Sequence, residues 1–336
     1  MCYNHNMYVD YLTLACLRDR LDALLGARVQ RVVLPDDRSV GLELYARQRF
    51  QLLVSAAPQN PRMLIVPYKL RRGVATATPL LLSLRKWVRG ARLVNVTQPP
   101  WERILELHFE GRAGPCCLIA ELIGRYSNVI LVGPDGCVLE AMTHVGPDIN
   151  RYRVTLPHRP YQPPPIPPGR RPPTGVTSGE WAAILASGEV DVPLHHLLPR
   201  RLLGVSPMAA REIAVRAAGD PEAPAHVVAP QAVAEAVAAL FAPAEGHASW
   251  TPHVALGEGE GEEDGERRVI AFAPYEPRQF KRVERVSYVS DAMWRYFRQR
   301  LFVCAHPAVA AVFVKRAGRL CRRESVPDSG VVRLRG

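Results

Sequence analysis

The chain has 336 residues, enough for roughly two domains of about 150 residues each and for a sizeable buried core. Its 43 basic and 32 acidic residues give a formal net charge of +11, which favours an anionic partner such as a nucleic acid or a membrane surface. The composition is globular, with 48% hydrophobic and 22% charged residues, and the absence of any apolar run near the roughly 18 residues that a membrane-spanning helix requires excludes a transmembrane protein.

The N-terminal residues and the cysteines indicate a reducing compartment. The first seven residues, MCYNHNM, contain no basic segment followed by a long apolar core, so we expect neither export nor a lipid anchor at Cys2. The seven cysteines are odd in number and form no CxxC pair, which argues against a disulfide framework and a zinc ribbon. We therefore expect a cytoplasmic protein with reduced thiols, no metal and no cofactor.

Residues 1–156 are predicted to form an antiparallel, β-rich domain with two helices, so the expected fold class is α+β. Apolar residues at helical spacing predict helices over 11–25, which Gly26 would end, and over 80–89. The sequence GPDG at 133–136 predicts a hairpin turn. Alternating apolar runs predict strands at 28–34, 40–45, 50–55, 62–66, 104–109, 117–122 and 129–132.

The helix over 80–89 is expected to bury its leucines and Trp87 and to leave Arg85, Lys86 and Arg89 toward water. These three cations are candidate phosphate contacts. The alternative is an ordinary solvated face, because charged residues commonly cover the exposed side of an amphipathic helix.

A proline-rich segment, residues 157–175, is predicted to be a stiff, extended linker, because its prolines forbid a helix interior. A small helical module follows over 176–245, in which Ser206 is expected to cap the third helix, with Pro207 in its first position. The helices of this module are predicted at 180–186, 194–203, 207–218 and 231–241.

The remaining sequence is predicted to have three parts. Residues 246–288 hold a strand pair around an acidic, glycine-rich loop at 257–266, which is too polar to pack. Residues 289–303 form a helix capped by Ser290. No element is predicted for 304–336.

Most signatures of enzyme active sites are absent from the sequence. There is no GxxxxGK[ST], GxSxG or HExxH motif, and the adjacent His195 and His196 cannot both face one metal from a helix. Four of the 43 basic residues are lysines, and arginine is the better bidentate ligand of phosphate. A GC-rich or thermophilic genome would give the same arginine excess.

Several separated motifs resemble, in their order along the chain, the landmarks of the N-terminal domain of the NFACT family. These are VDYLTL, LLGARVQRV, LRKWVRGARL, QPPWERILELHFEGR, ELIGRYSNVILV and INRYRVTLPHRPYQPPP. The segment LLGVSPMAAREIAVRAAG is similar to the helix-hairpin-helix-like module of the family, and YEPRQFKRVERVSYVSDAMWRYFRQR resembles the stretch that leads into its coiled coil. The resemblance covers residues 8 to about 302 and lacks the coiled coil, so we expect a fragment or a shortened relative.

The resemblance implies a function in ribosome quality control. The family includes bacterial RqcH proteins, fibronectin-binding protein A-like proteins and the animal protein NEMF. Membership implies a factor that binds tRNA and a large ribosomal subunit obstructed by peptidyl-tRNA, so that an untemplated alanine tail is added to the stalled chain. The ribosome itself would form the peptide bonds, so the resemblance implies a protein that is not an enzyme.

Three residues match the functional motif of the family and are therefore candidates for tRNA binding and tail elongation. Asp10 matches an acidic residue near the start, and Glu102 and Arg103 match an Asp-Arg pair, with glutamate one methylene longer. Read without the family, Asp10 is a helix N-cap, and Glu102 and Arg103 are an ion pair at the start of a strand.

Three further arginines are candidate phosphate contacts. Arg125 follows Gly124 in a predicted tight turn between strands, and turn chemistry does not account for it. Arg151 and Arg153 flank Tyr152, a pattern that suits stacking and pairing with RNA. Packing of Tyr152 against the proline-rich segment is the alternative.

Two other function classes remain open. The NFACT N-terminal domain is itself similar in fold to the formamidopyrimidine DNA glycosylases, but Cys2 stands where their proline nucleophile would be, and no set of zinc ligands is recognisable. A fibronectin-binding adhesin is suggested by a family name alone, and the first residues show no export signal. Copurification with large ribosomal subunits or tRNA would separate the three classes.

Overall fold

The computed structural model describes residues 9–187, 191–257 and 267–304, with side chains as far as residue 300. Residues up to Tyr296 belong to one compact unit, and those from Phe297 onward belong to a second, of which only the end of the last helix is described. The acidic loop residues 258–266 and the tail from 305 lie outside the described residues. The domain boundaries predicted within the first unit stay predictions.

Nine strands in the described part of the chain form one antiparallel sheet, and the α+β fold class is confirmed. Their order in the sheet is β4-β3-β2-β1-β5-β6-β7-β8-β9. The strands are β1 (Arg28–Asp36), β2 (Ser39–Ala46), β3 (Gln48–Ser55), β4 (Arg62–Val66), β5 (Arg92–Thr97), β6 (Ile104–Gly111), β7 (Gly114–Glu121), β8 (Asn128–Val132) and β9 (Val138–Ala141).

The sheet has two halves, because β1 and β5 share one ladder pair, Arg28 opposite Arg92. Strands β1 to β4 form one half and β5 to β9 the other. Six of the seven predicted strand runs lie within these strands and the seventh, 117–122, extends one residue past the end of β7, whereas β5 was not predicted. The predicted hairpin turn joins β8 to β9, and its Gly136 has the positive φ of 76° that favours glycine.

Seven helices are described, and two of them belong to the N-terminal half of the chain as predicted. They are α1 (Tyr11–Asp22), α2 (Pro79–Trp87), α3 (Ser178–Ala186), α4 (Leu194–Arg201), α5 (Pro207–Ala218), α6 (Pro230–Phe241) and α7 (Val289–Cys304). Ser206 caps α5 as predicted, since its Oγ accepts the Ala209 N–H at 3.1 Å. In the stripe predicted for α2, Leu80, Leu81 and Leu84 are buried.

Helices α3 to α6 pack around their own core, which contains the fully buried Trp181 and Phe241. Tyr11 of α1 enters this core, and its ring centroid lies 5.2 Å from that of Trp101 and 6.3 Å from that of Phe241. These rings join the helices to the sheet. The helix-hairpin-helix-like character of the module stays a prediction.

The predicted strand pair is present in a second, smaller antiparallel sheet in the order β11-β10-β12. Its strands are β10 (His253–Leu256), β11 (Val269–Ala273) and β12 (Val283–Arg285). The last helix, α7, begins at Val289, so the prediction that Ser290 caps it was wrong. The Ser290 hydroxyl instead accepts the N–H of Ile65, on the edge strand β4, at 3.1 Å.

The opposite edge strand, β9, is covered by the start of the proline-rich segment. His158 donates its N–H to the Val138 carbonyl at 2.9 Å, and Val138 donates to the Arg159 carbonyl at 2.8 Å. Further along, the Arg171 N–H donates to the carbonyl of Arg201 at the end of α4. The segment is thus attached by its backbone to the sheet and to the helical module.

Candidate nucleic-acid interface

Asp10 joins the N-termini of two helices. One carboxylate oxygen accepts the Thr13 N–H at 2.9 Å and caps α1, as the sequence predicts. The other oxygen accepts the Ser206 hydroxyl at 2.7 Å, and Ser206 in turn caps α5. The side chain is buried at 7% exposure. Asp10 therefore fixes the helical module to the start of the chain, across 196 residues of sequence.

The segment with Glu102 and Arg103 is tied to the same region by Gln98. The Gln98 amide donates to the carbonyl of Tyr11 at 3.1 Å and to that of Glu102 at 3.0 Å. The Leu122 N–H donates to the carbonyl of Arg103 at 2.9 Å. The Gln98 side chain thus connects the backbone at the start of α1, next to Asp10, with the backbone of the segment that contains Glu102 and Arg103.

Glu102 is half-buried, and its environment changes its acidity. Burial raises the pKa of its carboxyl, the neighbouring Arg103 lowers it, and Glu121 raises it further. The net result is a raised pKa for Glu102. A carboxylate held this way is poised to accept a hydrogen bond or a cation in place of water.

Antiparallel pairing gathers the termini of five strands at one end of the sheet. β5 ends at Thr97, β6 begins at Ile104, β7 ends at Glu121, β8 begins at Asn128 and β9 ends at Ala141. The connecting segments 98–103 and 122–127 therefore lie at this end, and the segment 142–153, which follows β9, returns to it through the contact of Arg153 with Glu121. We call these three segments the loop end of the sheet. They carry Glu102, Arg103, Arg125, Arg151 and Arg153.

The loop end presents aromatic rings beside arginines. The Arg125 guanidinium donates to the Tyr126 hydroxyl at 2.5 Å and stands 4.7 Å from the centre of that ring, which is 65% exposed. Arg151 is exposed, and Tyr152 is 94% exposed. Packing of Tyr152 against the proline-rich segment was therefore wrong. Exposed rings and guanidinium planes are what unpaired bases stack on.

Arg153 is held by a residue that sequence reasoning missed. Its guanidinium donates to a carboxylate oxygen of Glu121, whose side chain is fully buried, and to the Gln162 carbonyl at 2.7 Å. Tyr161 donates its hydroxyl to the same Glu121 oxygen at 2.8 Å. The signal in the sequence was an acid within the apolar strand run 117–122. A role for Arg153 in phosphate binding stays a prediction.

Burial raises the pKa of Glu121, and the charge and hydrogen bond of Arg153 lower it. The pKa of Tyr161 is raised by burial and by the Glu121 carboxylate. The second oxygen of Glu121 is buried and has no hydrogen-bond partner among the described residues. The cluster therefore stores an unfavourable desolvation that depends on Arg153 for its compensation.

A second acid lies on the strands just inside the loop end. The Thr97 hydroxyl donates to Glu106 at 2.8 Å and lies 2.9 Å from the Nε2 atom of His108. Hydrogen bonds from His108 and Thr97 lower the pKa of Glu106 despite its burial. Glu106 is thus stabilised in its charged form, opposite to the balance at Glu121.

The basic face predicted for α2 lies at the opposite end of the strands. Lys86 and Arg89 are exposed as expected, whereas Arg85 and Trp87 are half-buried, so the expectations that Arg85 faces water and that Trp87 is buried hold only in part. Trp87, the last residue of α2, accepts the Cys116 thiol near the start of β7 with its carbonyl at 3.9 Å. The predicted site residues therefore divide into two groups rather than one.

The described cysteines carry free thiols. Cys16, Cys116, Cys117 and Cys137 are free. Burial raises the pKa of Cys16 to about 12 and that of Cys116 to about 11, which keeps both protonated and unreactive near neutrality. No described helix is long and apolar enough to cross a bilayer.

The chain matches a known protein family and several curated relatives. A family model for the NFACT N-terminal and middle domains matches residues 10–302. The Rqc2 homolog RqcH of Streptococcus pneumoniae serotype 2 is 30% identical over 149 residues, which are 42% of this chain and 27% of that protein. The Rqc2 homolog RqcH of Bacillus subtilis is 26% identical over 214 residues, 58% of this chain and 35% of that protein. The chain thus spans about a quarter to a third of these curated relatives.

Solved structures share the fold. A fibrinogen binding protein from Staphylococcus aureus superposes with a TM-score of 0.66 at 21% identity, over 85% of this chain and 98% of that one. The N-terminal part of a fibronectin/fibrinogen-binding protein from Streptococcus suis gives 0.64 at 22% identity, over 86% and 99%.

Proposed function

The chain belongs to the NFACT family, and from that premise we propose that it binds tRNA and large ribosomal subunits obstructed by peptidyl-tRNA. In this role it supports the untemplated alanine tailing of stalled nascent chains. It acts as a binding factor and not as an enzyme, because the ribosome supplies the peptide-bond chemistry. The proposed site of action is the cytoplasm.

The observation that carries the proposal is the gathering of Glu102 and Arg103 with Arg125 and Arg151 at the loop end. These residues come from three separate segments, and the register of the strands brings them to one place. Guanidinium groups bind phosphate bidentately, and the half-buried Glu102 can orient the guanidinium of Arg103. Together they suit the end of a folded RNA rather than a uniform polyanion.

The exposed rings of Tyr126 and Tyr152 give the same end a means of contacting unpaired bases. Single-stranded RNA is recognised by stacking on aromatic and guanidinium planes, whereas duplex RNA is recognised mainly by its backbone. A tRNA offers unpaired bases in its loops and at its acceptor end. The loop end therefore fits tRNA better than it fits duplex DNA.

The proposal is tested by binding of the whole chain to five partners. We expect it to cosediment with obstructed large subunits and to bind total tRNA, with weaker binding to vacant subunits. Duplex DNA with a damaged base and immobilised fibronectin represent the two other function classes. Tight binding to either of these, without retention of tRNA or subunits, would contradict the proposal.

A further inference from the structure

Five exposed cations from four elements meet at the end of the sheet opposite the loop end, which we call the helix end. Arg28 begins β1, Arg92 begins β5, Lys86 and Arg89 lie at the C-terminus of α2, and Arg112 lies in the turn between β6 and β7. None of them forms an ion pair within the described residues. Their charge is therefore available to a partner.

The backbone shows that these elements converge. The N–H of Gly90, which follows Arg89, donates to the Val29 carbonyl on β1 at 2.8 Å. A Cβ atom at Gly111 would lie 3.2 Å from the Trp87 carbonyl at the end of α2. The same atom would lie 2.9 Å from the Cβ of Ala91, so the turn that carries Arg112 packs closely on the segment from Trp87 to Ala91.

Arg28 and Arg92 form a reciprocal pair, because each donates a hydrogen bond to a backbone carbonyl just before the strand of the other. They are opposite each other in the ladder between β1 and β5. The Arg28 Nε donates to the Gly90 carbonyl at 3.1 Å, and an Arg92 Nη donates to the Gly26 carbonyl at 3.0 Å. Like charges placed directly opposite destabilise a ladder, and each guanidinium keeps further N–H groups to donate. An anion that bridges the two would relieve the repulsion.

The surface extends past these five cations. Tyr45, opposite Arg28 on β2, is 46% exposed, and the exposed Arg47 follows it in the turn to β3. Glu110 faces Arg92 across the ladder on β6 and is the acid that this register places among them. The balance at the helix end remains strongly positive.

We propose that the helix end is a second RNA-binding surface, which contacts the sugar-phosphate backbone of duplex RNA. The choice of RNA as the polyanion rests on the proposed function. Four of the five cations are arginines, whose planar forks match phosphate. Their distribution over four elements fits a run of successive phosphates, whereas an isolated carboxylate would engage one or two of them. The duplex belongs either to ribosomal RNA or to the arms of tRNA.

The test compares two triple variants of the whole chain. Lys86→Gln, Arg89→Gln and Arg112→Gln together remove three cations whose side chains make no described hydrogen bond. Lys281→Gln, Arg282→Gln and Arg285→Gln remove one lysine and two arginines that are equally exposed, on or beside β12. Binding is measured at several salt concentrations to a 20-base-pair RNA duplex, total tRNA, isolated large subunits and anionic phospholipid vesicles, beside thermal melts.

For the duplex, we expect the helix-end variant to reduce the magnitude of the negative slope of log affinity against log salt by about 2 to 3. We expect the control variant to leave this slope unchanged. An equal loss with tRNA or with subunits supports the inference and identifies which RNA supplies the duplex. Unchanged slopes on every RNA, while the native chain binds tRNA, would overturn this inference and leave the proposed function standing. Loss of vesicle binding alone would also overturn it. A native chain that binds no RNA would instead refute the proposed function.

Discussion

The loop end and the helix end lie at opposite ends of strands β5 to β9, and the length of β6 separates them by roughly 23 Å. The loop end combines the exposed Arg125 and Arg151 with buried charge, whereas the cations named at the helix end are all exposed. At the loop end, Glu121 is buried, Arg153 is paired with it, and Glu102 is half-buried. At the helix end, Lys86 and Arg89 are exposed and form no ion pair within the described residues.

The difference bears on the two contacts that we propose for this sheet. Desolvated charges are fixed in position by their partners, so a site built from them selects ligands by geometry. Exposed charges move freely and are screened by salt, so a surface built from them contributes affinity without selecting sequence. Removing residues from the two ends should therefore change different quantities.

The largest effect is expected from Arg153→Ala, which would show how far the loop end depends on its buried ion pair. The change leaves the Glu121 carboxylate buried without a cation, at a cost of about 3 to 5 kcal/mol in the free energy of unfolding. Urea denaturation measures it. Arg151→Ala, two residues away and exposed, is the matched control and should cost less than about 0.5 kcal/mol.

The same variant should have a characteristic pH dependence. Burial already raises the pKa of Glu121, and loss of Arg153 raises it further. An acid with a higher pKa in the folded state costs stability once the unfolded state ionises, so the loss grows as the pH rises from the ordinary glutamate pKa toward the raised value of the folded state. It should shrink as the pH falls toward the ordinary glutamate pKa of about 4.3. A loss that is independent of pH would mean that packing, not charge, explains it.

The next effect concerns Arg103→Ala, which tests whether the loop end selects its ligand. We expect a ten- to a hundredfold defect in productive tRNA engagement, because a lost charge-assisted hydrogen bond is worth about 1.5 to 3 kcal/mol. The assay is alanine-tail formation on obstructed subunits by a chimera that joins this chain to the remaining domains of a full-length relative. Bulk affinity for RNA should fall only modestly.

Glu102→Asp restores the residue of the family motif and should be tolerated in the same chimera. Thermal melts of each variant separate loss of function from loss of fold. Normal tailing by a folded Arg103→Ala chimera would withdraw the site assignment and erase the contrast between the two ends.

A smaller effect is expected where the start of α1 joins the helical module. Asp10→Ala removes the cap of α1 and the acceptor of the Ser206 hydroxyl, which should cost about 1 to 2 kcal/mol. Asp10→Asn keeps the cap but presents an amide to Ser206, so it should cost less. A double-mutant cycle with Ser206→Ala measures the coupling, and strict additivity would show that the contact contributes nothing.

The smallest effect concerns Glu106, whose pKa is lowered rather than raised. The stability that it contributes is present above the ordinary glutamate pKa and is lost as the pH falls through its lowered value. Glu106→Gln should therefore flatten the acid side of the stability profile, by less than about 1 kcal/mol. An unaltered profile between pH 5 and pH 3, estimated from the ordinary range, would remove this hydrogen-bond network from the stability of the loop end.

Local signals in the sequence predicted most of the fold. The bounds of β4 and of α5 match their predictions, because an apolar run and a Ser-Pro start are properties of neighbouring residues. β5 was not predicted, because a bulge between Leu93 and Asn95 interrupts the alternation of buried and exposed residues along this strand. Its first residue, Arg92, is paired with Arg28 at the helix end.

What depends on distant residues could not be predicted in this way. Ser290 has the position of a helix cap, yet its partner is Ile65, 225 residues away. Arg153 and Glu121 are separated by 32 residues and meet through the order of the strands. The division of the candidate arginines between two ends follows from that same order, which composition and periodicity do not encode.

The covered edges of the large sheet also bear on how the protein behaves at high concentration. An edge strand with free N–H groups is a template on which another chain can add a strand, and this is a route to aggregation. On β4 the Ser290 hydroxyl occupies the outward N–H of Ile65. The segment that pairs with β9 includes Pro160, which has no backbone N–H to donate to a further strand. We therefore expect the proline-rich segment to hinder the addition of a further strand, and we expect a shortened segment to expose this edge while leaving the loop end and the helix end intact.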